Sequence, residues 1–142
     1  MPFNSSNYLQ ILVYISKYGN KKVKMVEVSK NHSVESIKNK NFFIQVNIGS
    51  EKTKSGILPE IADDFIIYCR QDLKLNITGL MCIPPIDKNP IFYFKNLNDI
   101  AKRNNINHLS MGMSNDYVDG LKCGASYIRV GTLLFGNRNH DN

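Results

Sequence analysis

The sequence predicts an α/β protein with a parallel sheet, in a single domain of 142 residues. Short segments rich in β-branched and aromatic residues alternate with segments whose apolar residues recur at helical spacing. Helical segments of about 10 to 15 residues between such strands are typical of βα units, whose strands run parallel. Glycine-containing turns follow the last two strands, which indicates a site at the carboxyl ends of the strands.

Strands and helices are predicted in alternation, and glycine or proline marks several of their ends. Gly19 ends the first helix, Pro59 begins the third, and Pro84 with Pro85 closes the third strand. A polar tail is predicted from Gly131 onward. The predicted strands cover residues 23–28 with a continuation to 30, 42–47, 75–81, 108–111 and 127–130. The predicted helices cover residues 7–18, a short stretch from 33–36, a segment that begins at 59, 91–102 and 117–122.

Two of these helices have a predicted apolar face that packs on the sheet. In the helix that begins at residue 59, this face is predicted to consist of Ile61, Phe65, Ile66 and Tyr68. In the helix over residues 91–102, it is predicted to consist of Phe92, Phe94, Leu97, Ile100 and Ala101.

Composition argues against several classes of function. Hydrophobic residues make up 42% and charged residues 21% of the chain, and no apolar run reaches the roughly 18 residues of a membrane span. No secretory leader is recognised, so a cytoplasmic protein is expected. The net charge of +6 comes from scattered lysines without interleaved aromatic residues, which argues against nucleic-acid binding. The three cysteines and three histidines lack metal-ligand spacing, so buried reduced thiols and no metal site are expected.

A lysine at one strand end and glycine turns at two others form the candidate site. Lys30 ends the first predicted strand, and residues 110–114 (SMGMS) and 128–132 (IRVGT) end the last two. The carboxyl ends of parallel strands share one edge of a sheet, so these segments are expected to lie close together. Glycine allows close backbone approach to a phosphate, and Ser114 adds a hydroxyl while capping the helix through Tyr117. The combination is typical of a pyridoxal phosphate site with Lys30 as its amine.

Arg129 is the candidate partner for the ring of such a ligand. It stands two positions before Gly131 and therefore points to the same face of its strand. A guanidinium beside the pyridine nitrogen keeps that nitrogen unprotonated, which makes the cofactor a weaker electron sink. Plainer interpretations fit the same residues, because a strand-end lysine is ordinarily surface and a glycine-serine turn is often only a turn. Arg129 could equally pair with Asp116 or Asp119.

Residues 23–30 (VKMVEVSK) resemble the first barrel strand of the pyridoxal phosphate homeostasis protein family, relatives of the alanine racemase N-terminal domain. The likeness runs in the family's order over nearly the whole chain from Val23 to Arg138. The segments similar to the family's fifth to eighth strands are residues 43–48 with 54–57, 79–84, 109–116 and 128–136.

The resemblance implies a partial (β/α)8 TIM barrel, whose parallel strands correspond to family strands 1 and 5 to 8 with flanking helices. The family's second to fourth strands have no counterpart, so a single domain over residues 1–142, internally shortened near 38–41, is expected. Strand eight neighbours strand one in a closed barrel, which gives the expected order five, six, seven, eight, one. Two open sheet edges would remain, and these favour self-association.

The resemblance also implies site residues and a function. Lys30 would bind pyridoxal 5'-phosphate as a Schiff base, and Arg129 would face the pyridine nitrogen. The phosphate would be held by Met113 through its backbone, Ser114, Gly131 and Thr132. The implied function is intracellular homeostasis of pyridoxal phosphate without catalysis, with cofactor-dependent apoenzymes as candidate recipients.

The sequence leaves two alternative functions open and one motif without a role. The chain could be a shortened remnant that binds nothing, or an amino-acid racemase that depends on pyridoxal phosphate. Residues 54–56 (KSG) resemble the family as closely as the other segments do, but their sequence indicates no physical role.

Overall fold

Five parallel strands form one sheet in the computed structural model, which describes residues 5–18, 24–26 and 41–136. The strands are β1 (Lys24–Val26), β2 (Asn41–Val46), β3 (Asn76–Cys82), β4 (His108–Met113) and β5 (Tyr127–Arg129). The helices are α1 (Ser5–Tyr18), α2 (Ala62–Gln71), α3 (Pro90–Arg103), α4 (Tyr117–Lys122) and α5 (Thr132–Phe135), and a 3-10 turn at Pro59–Ile61 leads into α2. The predicted α/β class is therefore confirmed.

The strand order is β1-β5-β4-β3-β2, and each neighbouring pair is parallel. This is the arc expected of barrel strands five, six, seven, eight and one, with β1 beside β5 across the pair Val26 and Arg129. The predicted helical stretch at 33–36 lies outside the described residues. So do residues 38–40, where most of the expected internal shortening falls.

The helices cover one face of the sheet and form the core with it. Side chains alternate along each strand, so the residues that face the helices come from every second position. Each large side chain buried there contributes on the order of 1.5–3 kcal/mol of transfer free energy. The largest fully buried side chains are Phe94, Ile11, Ile66, Leu80, Leu97, Met111, Leu121 and Ile128.

The opposite face of the sheet carries aromatic rings near the amino ends of its strands. The ring centroid of Tyr127 lies 5.2 Å from that of Phe43 and 6.0 Å from that of His108, both in edge-on geometry. Gly79 lies beneath the Phe43 ring. A Cβ at Gly79 would come within 2.1 Å of a carbon of that ring, so no larger residue fits. These side chains are half-buried or exposed, and in a closed barrel this face would be the interior.

The predicted apolar face of α2 is wrong in most of its members. Only Ile66 of the four is buried, and its partners against the sheet are Ala62 and Cys69. Ile61 is 51% exposed, and Phe65 and Tyr68 are exposed as well. Positions 61, 65 and 68 have the same spacing as 62, 66 and 69, but the two stripes differ by about 100° around the helix. The prediction chose the stripe with the larger apolar side chains. The stripe that packs on the sheet is the one that begins with the small residue Ala62.

Two further expectations are corrected. Phe92, predicted on the buried face of α3, is 62% exposed, whereas the rest of that predicted face is buried. The tail predicted from Gly131 begins with a helix instead, because Leu134 is buried in the core and the N–H groups of Leu134 and Phe135 donate to the Gly131 carbonyl.

Gly120 should tolerate no side chain where α4 crosses β4. A Cβ at this position would stand 2.9 Å from the Met111 carbonyl oxygen and 3.1 Å from the Gly112 Cα. Alanine favours the helix by about 1 kcal/mol, but overpacking against backbone costs about 1–3 kcal/mol, so Gly120→Ala should lower the free energy of unfolding. Urea denaturation measures this effect.

Gly131→Ala is the matched control, because a Cβ at Gly131 would meet nothing within 4 Å. A Gly120→Ala protein as stable as the parent would contradict the close packing. The same titration addresses the remnant alternative, because a sharp cooperative transition of the parent protein argues against a chain that folds poorly.

Candidate functional site

Arg129 spans the centre of the sheet near its carboxyl edge. Its Nη1 donates to Ser110 Oγ on β4 at 2.8 Å, and its Nη2 donates to the Cys82 carbonyl at the end of β3 at 3.0 Å. Ser110 is only 8% exposed, so one of these acceptors is a buried hydroxyl. Both of these hydrogen bonds of the guanidinium are therefore with neutral oxygens, rather than with Asp116 or Asp119.

Burial governs the electrostatics around this guanidinium. Loss of water lowers the pKa of Arg129, and the neighbouring Cys82 and Asp116 partly offset that change. Burial raises the pKa of Asp116, against the opposing effects of the Met113 N–H and of Arg129. Arginine nevertheless stays protonated at neutral pH. The site therefore holds a fixed positive charge in partly dry surroundings.

Ser114 joins the two glycine turns. Its Oγ accepts a hydrogen bond from Thr132 Oγ1 at 2.9 Å and another from the Leu133 N–H at 3.3 Å. Gly131 and Thr132 are exposed, and the space above the Gly131 Cα is open. Two hydroxyls and a bare stretch of backbone thus form an open polar cup at the ends of β4 and β5, here called the Ser114 cup.

Asp116 closes the turn that follows β4. The Met113 N–H donates to Asp116 Oδ1 at 2.6 Å, and the Asp116 N–H donates to the Met113 carbonyl at 3.1 Å. Gly112 has φ 97°, and a Cβ there would stand 2.9 Å from the Tyr117 Cα. Both backbone groups of Met113 thus shape the turn. The expected helix cap by Ser114 is wrong, because Asp116 precedes the helix and the Ser114 hydroxyl binds the other turn.

The loop that contains residues 54–56 folds back on the end of β2. The buried Asn47 amide donates to the carbonyls of Glu51 (2.7 Å) and Lys54 (3.2 Å), and its Oδ1 accepts from the Glu51 N–H. Ile57 then pairs with β2, through its N–H to the Gln45 carbonyl at 3.0 Å and its carbonyl to the Asn47 N–H at 2.8 Å. The loop is therefore a closed clip on the outer edge of β2.

Lys54 extends this clip to the neighbouring strand. Its Nζ donates to the Pro84 carbonyl at 2.9 Å and to the Ile83 carbonyl at 3.3 Å, just beyond β3. Glu51 Oε2 lies 2.6 Å from the same nitrogen. The motif that indicated no role in the sequence thus ties the carboxyl ends of β2 and β3 together.

The structure brings five of the six predicted site residues to one edge of the sheet: Met113, Ser114, Arg129, Gly131 and Thr132. Met113 and Arg129 are direct partners in the register of β4 and β5. Lys30 lies outside the described residues. The last residue of β1, Val26, pairs with Arg129, so the strand that leads to Lys30 runs beside β5.

The cysteines are free, with Cys69 and Cys82 buried as expected and Cys123 only half-buried. Across residues 5–18, 24–26 and 41–136, no cluster of three or more histidines, cysteines or carboxylates could hold a metal ion. None of the helices in that part of the chain is long and apolar enough to span a bilayer.

The structure is an arc of parallel β/α units with polar groups at the carboxyl ends of the strands. It therefore belongs to the class of β/α barrels, as part of one, with the candidate ligand site at the strand ends where such barrels bind ligands. A comparison with protein-family models found no match. Individual relatives and solved structures do match.

Three curated relatives carry the name pyridoxal phosphate homeostasis protein. The chain is 37% identical to that of Aquifex aeolicus over 120 residues, covering 78% of this chain and 50% of the relative. It is 36% identical to that of Haemophilus influenzae (70% and 46% covered) and 38% identical to that of Schizosaccharomyces pombe (69% and 45% covered). The chain belongs to the pyridoxal phosphate homeostasis protein family, and it spans about half the length of the curated relatives it matches.

Solved structures of PipY from Synechococcus elongatus support the same assignment. The structure without pyridoxal phosphate is 29% identical with a TM-score of 0.62, and the match covers 68% of this chain and 49% of that one. The structure with pyridoxal phosphate bound is 26% identical with a TM-score of 0.51, and the match covers 66% and 50%. The partial barrel fold is therefore that of this family.

The thiol beside Arg129 should be inert in the folded protein. Burial raises the pKa of Cys82 from 9.0 to about 12, so its thiolate fraction near neutral pH falls by about a thousandfold. Alkylation at about pH 8, followed by peptide mass spectrometry, should label the half-buried Cys123 first. In denaturant the alkylation rates of Cys82 and Cys123 should become similar. If Cys82 were labelled as fast as Cys123 in the folded protein, its burial would be contradicted.

Proposed function

We propose that this chain binds pyridoxal 5'-phosphate and takes part in its intracellular homeostasis. One observation carries the proposal: the Ser114 hydroxyl joins the turns after β4 and β5 into one polar cup. The family assignment and the PipY structure with pyridoxal phosphate bound support the choice of ligand.

The residues around the cup fit the two ends of this cofactor. The hydroxyls of Ser114 and Thr132, with the open backbone at Gly131, suit a phosphate group. Met113 stands beside them as part of the cup wall. Arg129, in register with Met113, suits the ring nitrogen at the other end. The bound cofactor would supply an aldehyde, and Lys30 is the proposed amine that bonds to its carbon.

Arg129 favours a carrier over a catalyst in this proposal. Among residues 5–18, 24–26 and 41–136 its acceptors are a hydroxyl and a carbonyl, so no ion pair in direct contact there neutralises its charge. A positive charge facing the ring nitrogen disfavours a proton there, which weakens the ring as an electron sink. Storage and delivery need only reversible binding, so the proposed recipients are apoenzymes that depend on the cofactor.

The proposed setting is the cytoplasm. The free cysteines Cys69, Cys82 and Cys123 support it, because a reducing compartment keeps thiols unpaired.

The proposed amine can be identified directly by chemical trapping. Borohydride reduction of the protein with pyridoxal phosphate should fix a phosphopyridoxyl label on Lys30, located by peptide mapping. Lys30→Ala should lose the label and the absorbance band of the bound cofactor, whereas Lys52→Ala, an exposed lysine, should retain both. Unchanged labelling in Lys30→Ala, on scattered lysines, would refute the assignment.

We also propose that the chain self-associates through its sheet edges. In the described sheet β1 and β2 each have one neighbouring strand. The clip, which runs from Asn47 to Ile57, covers β2 only at its carboxyl end, where Ile57 bonds the outward groups of Gln45 and Asn47. Within the described part of the chain, the outward groups nearer Asn41 have no neighbouring strand, and we propose that a second chain pairs with them.

Sedimentation velocity over a range of protein concentrations tests self-association. A mass that rises with concentration is expected. Asn41→Pro should reduce this rise, because proline removes an N–H on the side away from β3 and is tolerated on an edge strand. A monomer at all concentrations would contradict the proposal.

A further inference from the structure

We propose that Lys54 is a positioning residue for Arg129, acting through the end of β3. The inference deepens the proposed function, since Arg129 is the residue assigned there to the cofactor ring. It gives the 54–56 motif a role at the site rather than only in its own loop.

Lys54 is an anchored cation and not a mobile surface lysine. The Lys54 ammonium donates to the carbonyls of Pro84 and Ile83, and the Glu51 carboxylate lies 2.6 Å away as its ion-pair partner. Its side chain is only 22% exposed. The clip sets its position, because Asn47 holds the backbone on both sides of the loop.

Three successive carbonyls at the end of β3 are shared between two cations. Arg129, which comes from β5, takes the Cys82 carbonyl at 3.0 Å. Lys54, which comes from the β2 side, takes the next two, those of Ile83 and Pro84. A shift of Ile83 and Pro84 must therefore move the acceptor of Arg129, because adjacent peptide planes are covalently linked.

The sequence of this segment makes outside support necessary. Pro84 and Pro85 have no N–H, so the chain there cannot continue the ladder as a donor. The clip also packs against it, because a Cβ at Gly49 would stand 2.5 Å from Pro85 Cγ. Without the Lys54 donors, this stretch loses its hydrogen bonds to the clip, and the Cys82 carbonyl loses its fixed position.

The test measures Arg129 in the protein without cofactor, so that it does not depend on the proposed function. In protein with ¹⁵N-labelled arginine, NMR reports hydrogen exchange of the Arg129 guanidinium. Lys54→Met keeps an apolar stem and removes the donors. It should speed this exchange by about fivefold, the effect of losing roughly 1 kcal/mol of hydrogen-bond restraint.

Three controls make the result specific. Arg103 pairs with Asp63 at 2.9 Å on the surface and should not change. Lys52→Met, in the same loop but exposed, should leave Arg129 as in the parent. Lys54→Arg, which retains donors, should restore most of the protection. Unchanged Arg129 exchange in folded Lys54→Met would overturn the proposal and confine Lys54 to its loop.

A second variant and a second measurement complete the test. If Lys54→Met does not fold, Lys54→Gln replaces it with the same expectation for Arg129, because the glutamine side chain is shorter and would not reach the two carbonyls that Lys54 binds. Whichever of these two variants folds should also weaken binding of pyridoxal and of pyridoxal phosphate by similar factors, because the Ser114 cup is intact. Ser114→Ala should weaken only the phosphorylated form. Binding losses in Lys54→Met that depend on the phosphate would also contradict a role through Arg129.

Discussion

The arrangement of the site depends on one partly buried guanidinium, that of Arg129. Arg129 begins on β5, crosses β4 at Ser110 and ends at the Cys82 carbonyl of β3, so a single side chain fixes three strands at their carboxyl edge. Taking a cation out of water is costly unless hydrogen bonds compensate, and here two neutral oxygens accept from Nη1 and Nη2 without cancelling the charge. The same contacts that stabilise the edge therefore leave a positive charge available beside the cup.

Around Arg129, hydrogen bonds from loop side chains hold the loops at the carboxyl edge of the sheet together. Asp116 closes one turn, Ser114 connects that turn to the next, and Asn47 closes the clip that carries Lys54. Each of these groups bonds backbone or a neighbouring turn, so the loops at this edge are tied to one another. A ligand site on such loops is largely preformed, which lowers the entropic cost of binding.

The sequence predicted the topology well because topology depends on patterns that repeat. Strand bounds agree within about two residues where they are described, and the parallel arc followed from the family resemblance together with barrel closure. Contacts that depend on tertiary geometry were not predictable. The two stripes of α2 share one spacing, and the acceptors of Arg129 and Lys54 lie 47 and 30 residues away in sequence. The contact between Lys54 and the end of β3 joins residues far apart in sequence, so only the structure could show it.

The openness of the Ser114 cup bears on how fast a ligand could leave it. Gly131 and Thr132 are exposed, and the space above them holds no part of the described chain within van der Waals reach of an added Cβ at Gly131. A molecule seated there would face no lid among these residues, and its residence time would be set by its own bonds instead of by a gating motion. An open site of this kind favours fast release over long retention of whatever binds there.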